Sequence, residues 1–224
     1  MKPGHLLLIP ILLISTVSIA QVNSFTIDSS KFNKPLMLTL DTIYKADQGS
    51  RYRMQDLSKA KATASQIDSA RKAIHIADSL NLVKVVNIID RYGWLGPQDV
   101  GMNGSQALFL VIQHASLATQ QKYLPLIRTA EKNGKTLSSN LAILEDRINM
   151  REKKKQIYGS QVFKNKLTGE MCFYPIADPD HVDDKRKAMG LQPIADYAKL
   201  FNLTWDVEMY KKNLPEIEKA ASLL

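Results

Sequence analysis

The segment from Gln106 to Ala115 is apolar on every side of a helix. Its apolar residues follow one another without a break: Ala107, Leu108, Phe109, Leu110, Val111 and Ile112. A helix that lacks a polar face is stable only in the interior of a protein, because no side of it suits contact with water. The sequence therefore predicts a mainly α fold, a bundle-like helical domain with this segment at its centre.

Periodic apolar residues predict further helices on both sides of this segment. Their predicted ranges are 35–57, 66–80, 82–92, 119–132, 138–153, 183–189, 194–201 and 207–224. Gly93 is the expected terminator of the helix that precedes it, and residues 93–97 read as a turn. Residues 156–176 have a β-like pattern with a polar loop, which predicts a small β-hairpin packed on the helices. The predicted organisation is a polar lead-in at 21–34 and a single α-rich domain at 35–224.

The first twenty residues have the pattern of a secretory signal peptide. Lys2 precedes an apolar run from Leu6 to Ile14, and Ala20 closes a small-residue cleavage site. The run is too short for a membrane span of roughly 20 apolar residues, although an uncleaved anchor is the alternative. The sequence thus predicts an extracytoplasmic protein, periplasmic or secreted, that does not span the membrane once it has been cleaved after Ala20.

Charge and cysteine content narrow the possible partners. Cys172 is the only cysteine, so an exported chain has no intramolecular disulfide and depends on its apolar core. The charge without the signal peptide is +7, because only Lys2 among the 30 basic and 22 acidic residues lies in it. The densest basic run, residues 151–155, has no interleaved aromatic side chains and suits a solvated helix end. We therefore expect no nucleic-acid partner.

Two polar residues interrupt the apolar stripe of the first predicted helix. Asp47 and Arg51 continue the spacing of Leu40 and Ile43, so a carboxylate and a guanidinium face inward, with Gln48 beside them. Asp47 precedes Arg51 by four residues, which is the favourable order for an intrahelical ion pair. The pair is either a structural one at the end of a buried stripe or one wall of a polar pocket.

The central helix ends in Gln113 and His114. Histidine exchanges its proton near neutral pH, so it suits general acid or base catalysis. A histidine at this position can also cap the last carbonyls of the helix or lie hydrogen-bonded in the core. Both interpretations of His114 remain open from the sequence.

A third polar pair, Asp146 and Arg147, lies on a helix with two apolar stripes. Such a helix is packed on both sides, so the acid and the base are at least partly enclosed. Adjacent residues on a helix do not face each other, and each therefore needs a different partner. The sequence offers Asp47, Arg51, Gln113 and His114 as candidate partners without choosing between them.

The stretch QIYGSQ at 156–161 concentrates hydrogen-bonding groups around one glycine. If Gly159 forms the turn into the hairpin, Tyr158 and Gln161 can point back towards the charged groups on the helices. The alternative is that these side chains only face water at a strand edge.

The common catalytic and metal motifs are missing from the sequence. No HExxH, P-loop, GxGxxG or GxSxG occurs, and the histidines after residue 20 form no i, i+4 pair. The acidic stretch 178–184 lacks the glycine and glutamate of an EF-hand loop and suits a helix start. Cys172 lies in an apolar run and reads as a buried thiol. The sequence therefore predicts no metal and no cofactor.

These polar residues form a set of short motifs that follow one another in a defined order along the chain. The set DQxxR at 47–51, Gly93-Trp94, Gln113-His114, Asp146-Arg147 and QxYGxQ at 156–161 resembles an uncharacterised bacterial domain-of-unknown-function family. The resemblance covers about residues 36–200, with Leu95, Ser116 and Ser160 as departures from the family pattern. It supports treating these residues as one group, and it implies no reaction.

Two functions of different classes are compatible with the sequence. In the first, one pocket binds a small polar or anionic ligand, and acid/base hydrolysis is an option there. Its catalytic candidates are His114, Asp47 and Asp146, and its ligand-binding candidates are Gln48, Arg51, Gln113, Arg147, Tyr158 and Gln161. In the second, the same residues form a structural buried network, and the protein is a non-enzymatic interaction module with a protein partner. Enzyme status stays open.

Overall fold

The computed structural model describes residues 27–224, which form two compact units at residues 27–137 and 138–224. We call them the N-terminal unit and the C-terminal unit. The predicted signal peptide and residues 21–26 of the lead-in lie outside the described residues. The rest of the lead-in contains a short 3-10 turn, Ser29–Lys31, to which Asp28 contributes a side-chain cap.

The N-terminal unit consists of four helices. They are α1 (Lys34–Lys59), α2 (Ala64–Tyr92), α3 (Pro97–His114) and α4 (Leu117–Lys132). Local sequence explains where α1 and α2 begin. The Asn33 side chain accepts from the backbone N–H of Leu36, while Thr63 and Gln66 form a reciprocal capping box. α1, α2 and α3 pack against one another.

α2 differs from the sequence prediction, which divided it into helices at 66–80 and 82–92. The structure contains one continuous helix from Ala64 to Tyr92. No glycine or proline occurs within this range, so no residue interrupts the backbone hydrogen bonds near position 81. The helix ends at Gly93, whose φ of +69° is the conformation that glycine adopts most easily, as predicted.

α3 is the buried helix that the sequence predicted, although it begins at Pro97 instead of Gln106. All six residues from Ala107 to Ile112 are buried. Gly101 separates the first turn of α3, which begins at Pro97, from the remainder of the helix. Gly101 has φ +72° and lies against the ring of Phe32. The central position of the helix in this unit follows directly from its lack of a polar face.

The C-terminal unit contains four more helices and a hairpin. The helices are α5 (Ser138–Arg151), α6 (Val182–Ala188), α7 (Ile194–Lys199) and α8 (Val207–Ser222). Strands β1 (Val162–Lys164) and β2 (Met171–Phe173) pair antiparallel, with Val162 opposite Phe173 and Phe163 opposite Cys172. The strands are shorter than the predicted hairpin range, because residues 156–161 form a turn instead of a strand.

Both faces of the hairpin are covered within this unit. Phe173 packs with Tyr197 and Trp205, in a core cluster that also includes Val162. On the other face, Phe163 contacts Tyr174 edge to face, next to Ala220 and Ala221 of α8. Residues 27–224 are therefore mainly helical, with a small antiparallel hairpin packed against helices, as predicted.

No helix within residues 27–224 combines the length and the apolar composition that crossing a membrane requires.

Candidate functional site

The N-terminal unit buries the first polar pair that the sequence singled out. Asp47 and Arg51 follow Leu40 and Ile43 along the inner face of α1, and all four residues are buried. One guanidinium nitrogen of Arg51 donates to Asp47 Oδ1 at 3.0 Å and to the Asp47 carbonyl at 3.1 Å. The predicted intrahelical ion pair is therefore present, and it lies in the interior.

α2 contributes an acid that the sequence analysis did not select. The second guanidinium nitrogen of Arg51 donates to both carboxylate oxygens of Asp78, at 2.9 and 3.1 Å. Arg51 thus bridges two carboxylates on two helices. Because each nitrogen serves a different acid, the guanidinium is held in one orientation.

α3 completes the group through its last residue. His114 Nδ1 lies 3.0 Å from Asp47 Oδ1, and the Gln48 amide donates to Asp47 Oδ2 at 2.7 Å. The Asp47 side chain is 1% exposed and that of His114 is 13% exposed. We call these five residues, Asp47, Gln48, Arg51, Asp78 and His114, the Asp47 cluster.

The partners of Asp47 keep its carboxylate ionised. Burial by itself raises the pKa of Asp47, but the hydrogen bond and charge of His114, the charge of Arg51 and the Gln48 amide outweigh it. The pKa of Asp47 therefore lies below its ordinary value.

Within residues 27–224, one group of three acid or histidine side chains has the spacing of metal ligands, and it lies in the Asp47 cluster. One ligand atom each from Asp47, Asp78 and His114 lies within 4.8 Å of the other two. Arg51 already donates to both carboxylates, so its guanidinium supplies the positive charge that a divalent ion would bring. The arrangement suits an arginine-bridged acid pair better than a metal centre.

The C-terminal unit uses Asp146 in a different way. Its carboxylate accepts backbone N–H groups of the turn at 156–161, from Ile157 at 2.6 Å, Tyr158 at 3.1 Å and Ser160 at 2.9 Å. Burial, the dominant effect, raises the pKa of Asp146, and these donors lower it only in part. Asp146 is fully buried and organises the turn that wraps around it.

Glutamines complete the inside of this turn. The Gln156 amide donates to the carbonyls of Gln161 and Tyr174, and its oxygen accepts the Gln161 backbone N–H at 2.8 Å. The Gln161 amide donates to Ser160 Oγ at 3.0 Å. It also points back to α5, where it lies 3.5 Å from the Ile143 carbonyl, so its partner on the helix is a neutral carbonyl instead of the expected charged group.

Tyr158 follows the prediction more closely. Its hydroxyl lies 3.3 Å from Glu145 on α5, so the phenol does point back to a charged group on a helix. Its carbonyl accepts from Arg186, a fully buried cation of α6 that also donates to the carbonyl of Gln192 at 2.7 Å. The Arg186 guanidinium lies 4.9 Å from the ring centre of Tyr197, which is a cation–π contact.

Gln113 and Arg147 are both buried. The Gln113 carbonyl accepts from the Gln120 amide within the N-terminal unit. The charge of Arg147 acts on Tyr197 in the C-terminal unit, where it favours the ionised phenol against the effect of burial. Their ligand-binding roles stay predictions.

The predicted site residues thus divide between the two units. Contacts within the N-terminal unit bring together Asp47, Gln48, Arg51 and His114, with Asp78 added. Contacts within the C-terminal unit bring together Asp146, Tyr158 and Gln161, with Gln156 and Arg186 added.

A signal for Asp78 was present in the sequence. Asp78 follows the apolar Ile74 by four residues and precedes Val85 by seven, so it continues the inner stripe of one long helix. Dividing α2 near position 81 hid this continuity. Arg186 had no comparable signal, because its partners are backbone carbonyls that no sequence pattern marks.

Fold and site together define a mainly helical protein in which one unit buries an aspartate, histidine and arginine cluster and the other a carboxylate-centred turn. The chain belongs to the DUF6624 family, a family of unknown function whose model matches residues 36–210. This agrees with the resemblance seen in the ordered motifs. No curated protein and no solved structure matches the chain significantly.

Proposed function

We propose that the chain binds a small polar or anionic ligand beside the Asp47 cluster and that His114 exchanges protons with it. The observation that carries this proposal is the 3.0 Å contact between His114 Nδ1 and the buried Asp47 carboxylate. We assign the proton exchange to Nε2, the ring nitrogen that does not face Asp47. His114 is partly exposed, whereas Asp47 is enclosed, so of these two residues the histidine is the one that a ligand can reach.

This arrangement supports acid/base hydrolysis, which we write for an ester. His114 Nε2 takes a proton from a water molecule, and the water oxygen bonds to the carbonyl carbon of an ester. The bond to the leaving alcohol then breaks, and the alcohol receives the proton from the imidazolium. Asp47 orients the ring and stabilises the imidazolium, while Arg51, anchored on Asp78, positions Asp47.

The second candidate, a non-enzymatic interaction module with a structural network, is favoured by the C-terminal unit. Asp146 accepts N–H groups of the backbone, and Gln156 satisfies carbonyls of the same turn. These contacts support a structural role for Asp146 and Gln161. We therefore assign the proposed chemistry to the N-terminal unit alone.

Hydrolysis of p-nitrophenyl acetate tests the proposal with a matched pair of variants. His114→Asn keeps an amide donor for Asp47 but cannot titrate. His181→Asn is the control, because His181 Nδ1 also lies 3.0 Å from an aspartate, Asp178, at an exposed position. We expect His114→Asn to lose about 100-fold in rate, within the usual range for general base catalysis, and His181→Asn to lose none. Equal rates in the two variants would overturn the acid/base proposal.

Ligand binding without turnover is tested separately by imidazole ¹⁵N NMR with inorganic phosphate as the probe. We expect saturable shifts at His114 in the wild type and none at His181. Non-saturable shifts that are equal at both histidines would contradict a site at the Asp47 cluster and favour the interaction module.

We also propose that the protein is exported, with residues 1–20 removed. The support is the sequence of the leader itself: one basic residue, a short apolar run and Ala20 at a small-residue cleavage site.

A further inference from the structure

We propose that the outer face of α2 docks the protein onto an anionic lipid surface. Three large apolar side chains on this face are mostly exposed: Ile76 by 62%, Leu80 by 60% and Val83 by 63%. They follow one another at intervals of four and three residues, so they form one continuous row along the helix. We call these three residues the α2 stripe. It goes beyond the proposed function, because none of its members belongs to the Asp47 cluster.

The α2 stripe is separate from the face by which the helix packs into the N-terminal unit. That inner face contains the buried residues Val85, Ile88 and Ile89, which lie on the other side of the helix. Single exposed apolar residues are common, whereas a continuous exposed row marks a surface that binds a partner. The stripe therefore serves an interaction and is not needed for the core.

Lysines lie at both ends of the row that contains Ile76 and Leu80. Lys72 precedes Ile76 by four residues and Lys84 follows Leu80 by four, so all four side chains share one side of the helix. Both lysines are exposed, and neither forms an ion pair within residues 27–224. Apolar side chains flanked by cations are typical of a helix that lies in the interface of an anionic membrane.

The acids of α2 do not neutralise these lysines. The helix contains three acids, and each has a partner outside the stripe: Asp68 with Arg71, Asp78 with Arg51, and Asp90 with the Tyr123 hydroxyl. Lys72 and Lys84 therefore dominate the charge along the stripe.

A groove of about 610 Å³ between α1 and α2 brings further cations to this side of the unit. Its lining includes Lys45 and Arg53 of α1 and Ala73 of α2, and no acidic side chain lines it. Ala73 precedes Leu80 by seven residues, which is two helical turns, so the groove lies beside the α2 stripe. Lys45 and Arg53 are both exposed. The positive charge thus extends over two helices, which suits a layer of anionic headgroups.

Charge also favours a lipid surface over a second copy of the chain. A second copy would place its own unpaired lysines near Lys72 and Lys84, and like charges across an interface repel each other. Acidic headgroups instead attract every cation of this face, while the apolar side chains enter the boundary between headgroups and acyl chains. A fluid lipid layer also adapts to protruding side chains, whereas a protein partner needs matching pockets.

Co-sedimentation with lipid vesicles tests the surface. The chain should begin at Gln21, because the apolar leader would itself enter lipid. We expect binding to phosphatidylcholine vesicles that contain about one third phosphatidylglycerol, and none to phosphatidylcholine alone. Raising the sodium chloride concentration about tenfold should release most of the bound protein, because salt screens the headgroup charge.

Variants of the stripe and of its lysines test the two contributions separately. Leu80→Ser should weaken partitioning about tenfold, as expected when roughly two methylene groups no longer enter the lipid. Lys72→Gln and Lys84→Gln should each weaken it about fivefold. Met209→Ser and Lys212→Gln are the matched controls and should have no effect. Met209 is 61% exposed and Lys212 is exposed, and both lie on α8.

Three results would overturn the proposal. The first is equal binding to neutral and anionic vesicles, or no binding to either. The second is a loss of binding in Met209→Ser as large as that in Leu80→Ser. The third is a dimer in sedimentation velocity that Leu80→Ser converts to a monomer, because the α2 stripe would then be an interface between copies of the chain.

Discussion

Two buried aspartates of this protein differ in what they bind. Asp47 accepts from three side chains, those of Gln48, Arg51 and His114. Asp146 accepts from backbone N–H groups of a single turn. Each side-chain donor to Asp47 belongs to a different residue, so one can be removed while the others remain. The backbone donors to Asp146 belong to one turn, which loses its conformation as a whole when the carboxylate is removed. The two carboxylates should therefore respond differently to substitution and to pH.

Stability measurements should separate these roles. Asp146→Asn places an NH₂ group against backbone N–H donors, so we expect a loss of about 2–4 kcal/mol in the free energy of unfolding. His114→Asn keeps an amide donor for Asp47 beside Arg51 and Gln48, and its cost should stay below about 1 kcal/mol. Urea unfolding of both variants checks this prediction. A larger loss for His114→Asn than for Asp146→Asn would reverse our assignment of site and structural network.

The same difference predicts opposite pH behaviour. The folded-state pKa of Asp47 lies below the ordinary 3.8, so its contribution to stability is present above pH 3.8 and lost as pH falls through the folded pKa. The folded-state pKa of Asp146 lies above 3.8, so its contribution is present below pH 3.8 and lost as pH rises through the folded pKa. Carboxyl ¹³C NMR should give midpoints on opposite sides of 3.8. A midpoint for Asp47 above that for Asp146 would contradict the structure.

The sequence predicted well which segments are helices and which are strands. It predicted the boundaries and connections between these elements less well. The spacing of apolar residues predicted α1, the buried part of α3 and the small hairpin, because those patterns reflect which face is buried. The continuity of α2 was missed, and with it the inward position of Asp78. The sequence placed residues 156–161 in the hairpin and offered a turn at Gly159 only as one alternative. The bonding of this turn to Asp146 depends on α5, a separate element, and was not predictable from the local sequence.

The turn between α5 and β1 gives a prediction at the level of elements. A Cβ at Gly159 would lie 2.8 Å from Ile194 Cδ1, and its backbone has φ +65°. Gly169 in the hairpin loop also has a positive φ, +79°, but no atom lies within 4 Å of its Cβ position. We expect Gly169→Ala to cost about 1–2 kcal/mol from backbone strain alone, and Gly159→Ala about 2 kcal/mol more from overpacking.

Thermal unfolding of the two glycine variants measures this difference, because backbone strain is common to both. Equal Tm values for Gly159→Ala and Gly169→Ala would show that the close packing of the turn against α7 is not required.

At the scale of the whole molecule, the described chain consists of two compact units, and the family match at 36–210 includes residues of both. The sequence analysis treated residues 35–224 as one α-rich domain and its polar residues as one group. Contacts within each unit divide these polar residues into two sets. One surrounds Asp47 and the other surrounds Asp146. The residues matched by the family model therefore include both the side-chain cluster around Asp47 and the Asp146 carboxylate, which accepts backbone N–H groups.

Export predicts a defined mature terminus. Mass spectrometry of the protein purified from the envelope fraction of a bacterial host should give a chain that begins at Gln21, since Ala20 occupies the last position of the cleavage site. Ala20→Phe should retain the leader, because signal peptidase requires a small residue there, and Ala20→Ser should be processed normally. An envelope protein that begins at Met1 would favour the uncleaved anchor instead.

The sequence by itself determined the helical class, the buried central helix, the inward direction of Asp47 and Arg51, and the family. These properties depend on periodicity and on ordered motifs, which a linear chain displays. Tertiary structure alone decided that Asp78 shares Arg51 and that Asp146 binds a turn. Those facts depend on which elements meet, and residues far apart in sequence carry no local mark of their contact.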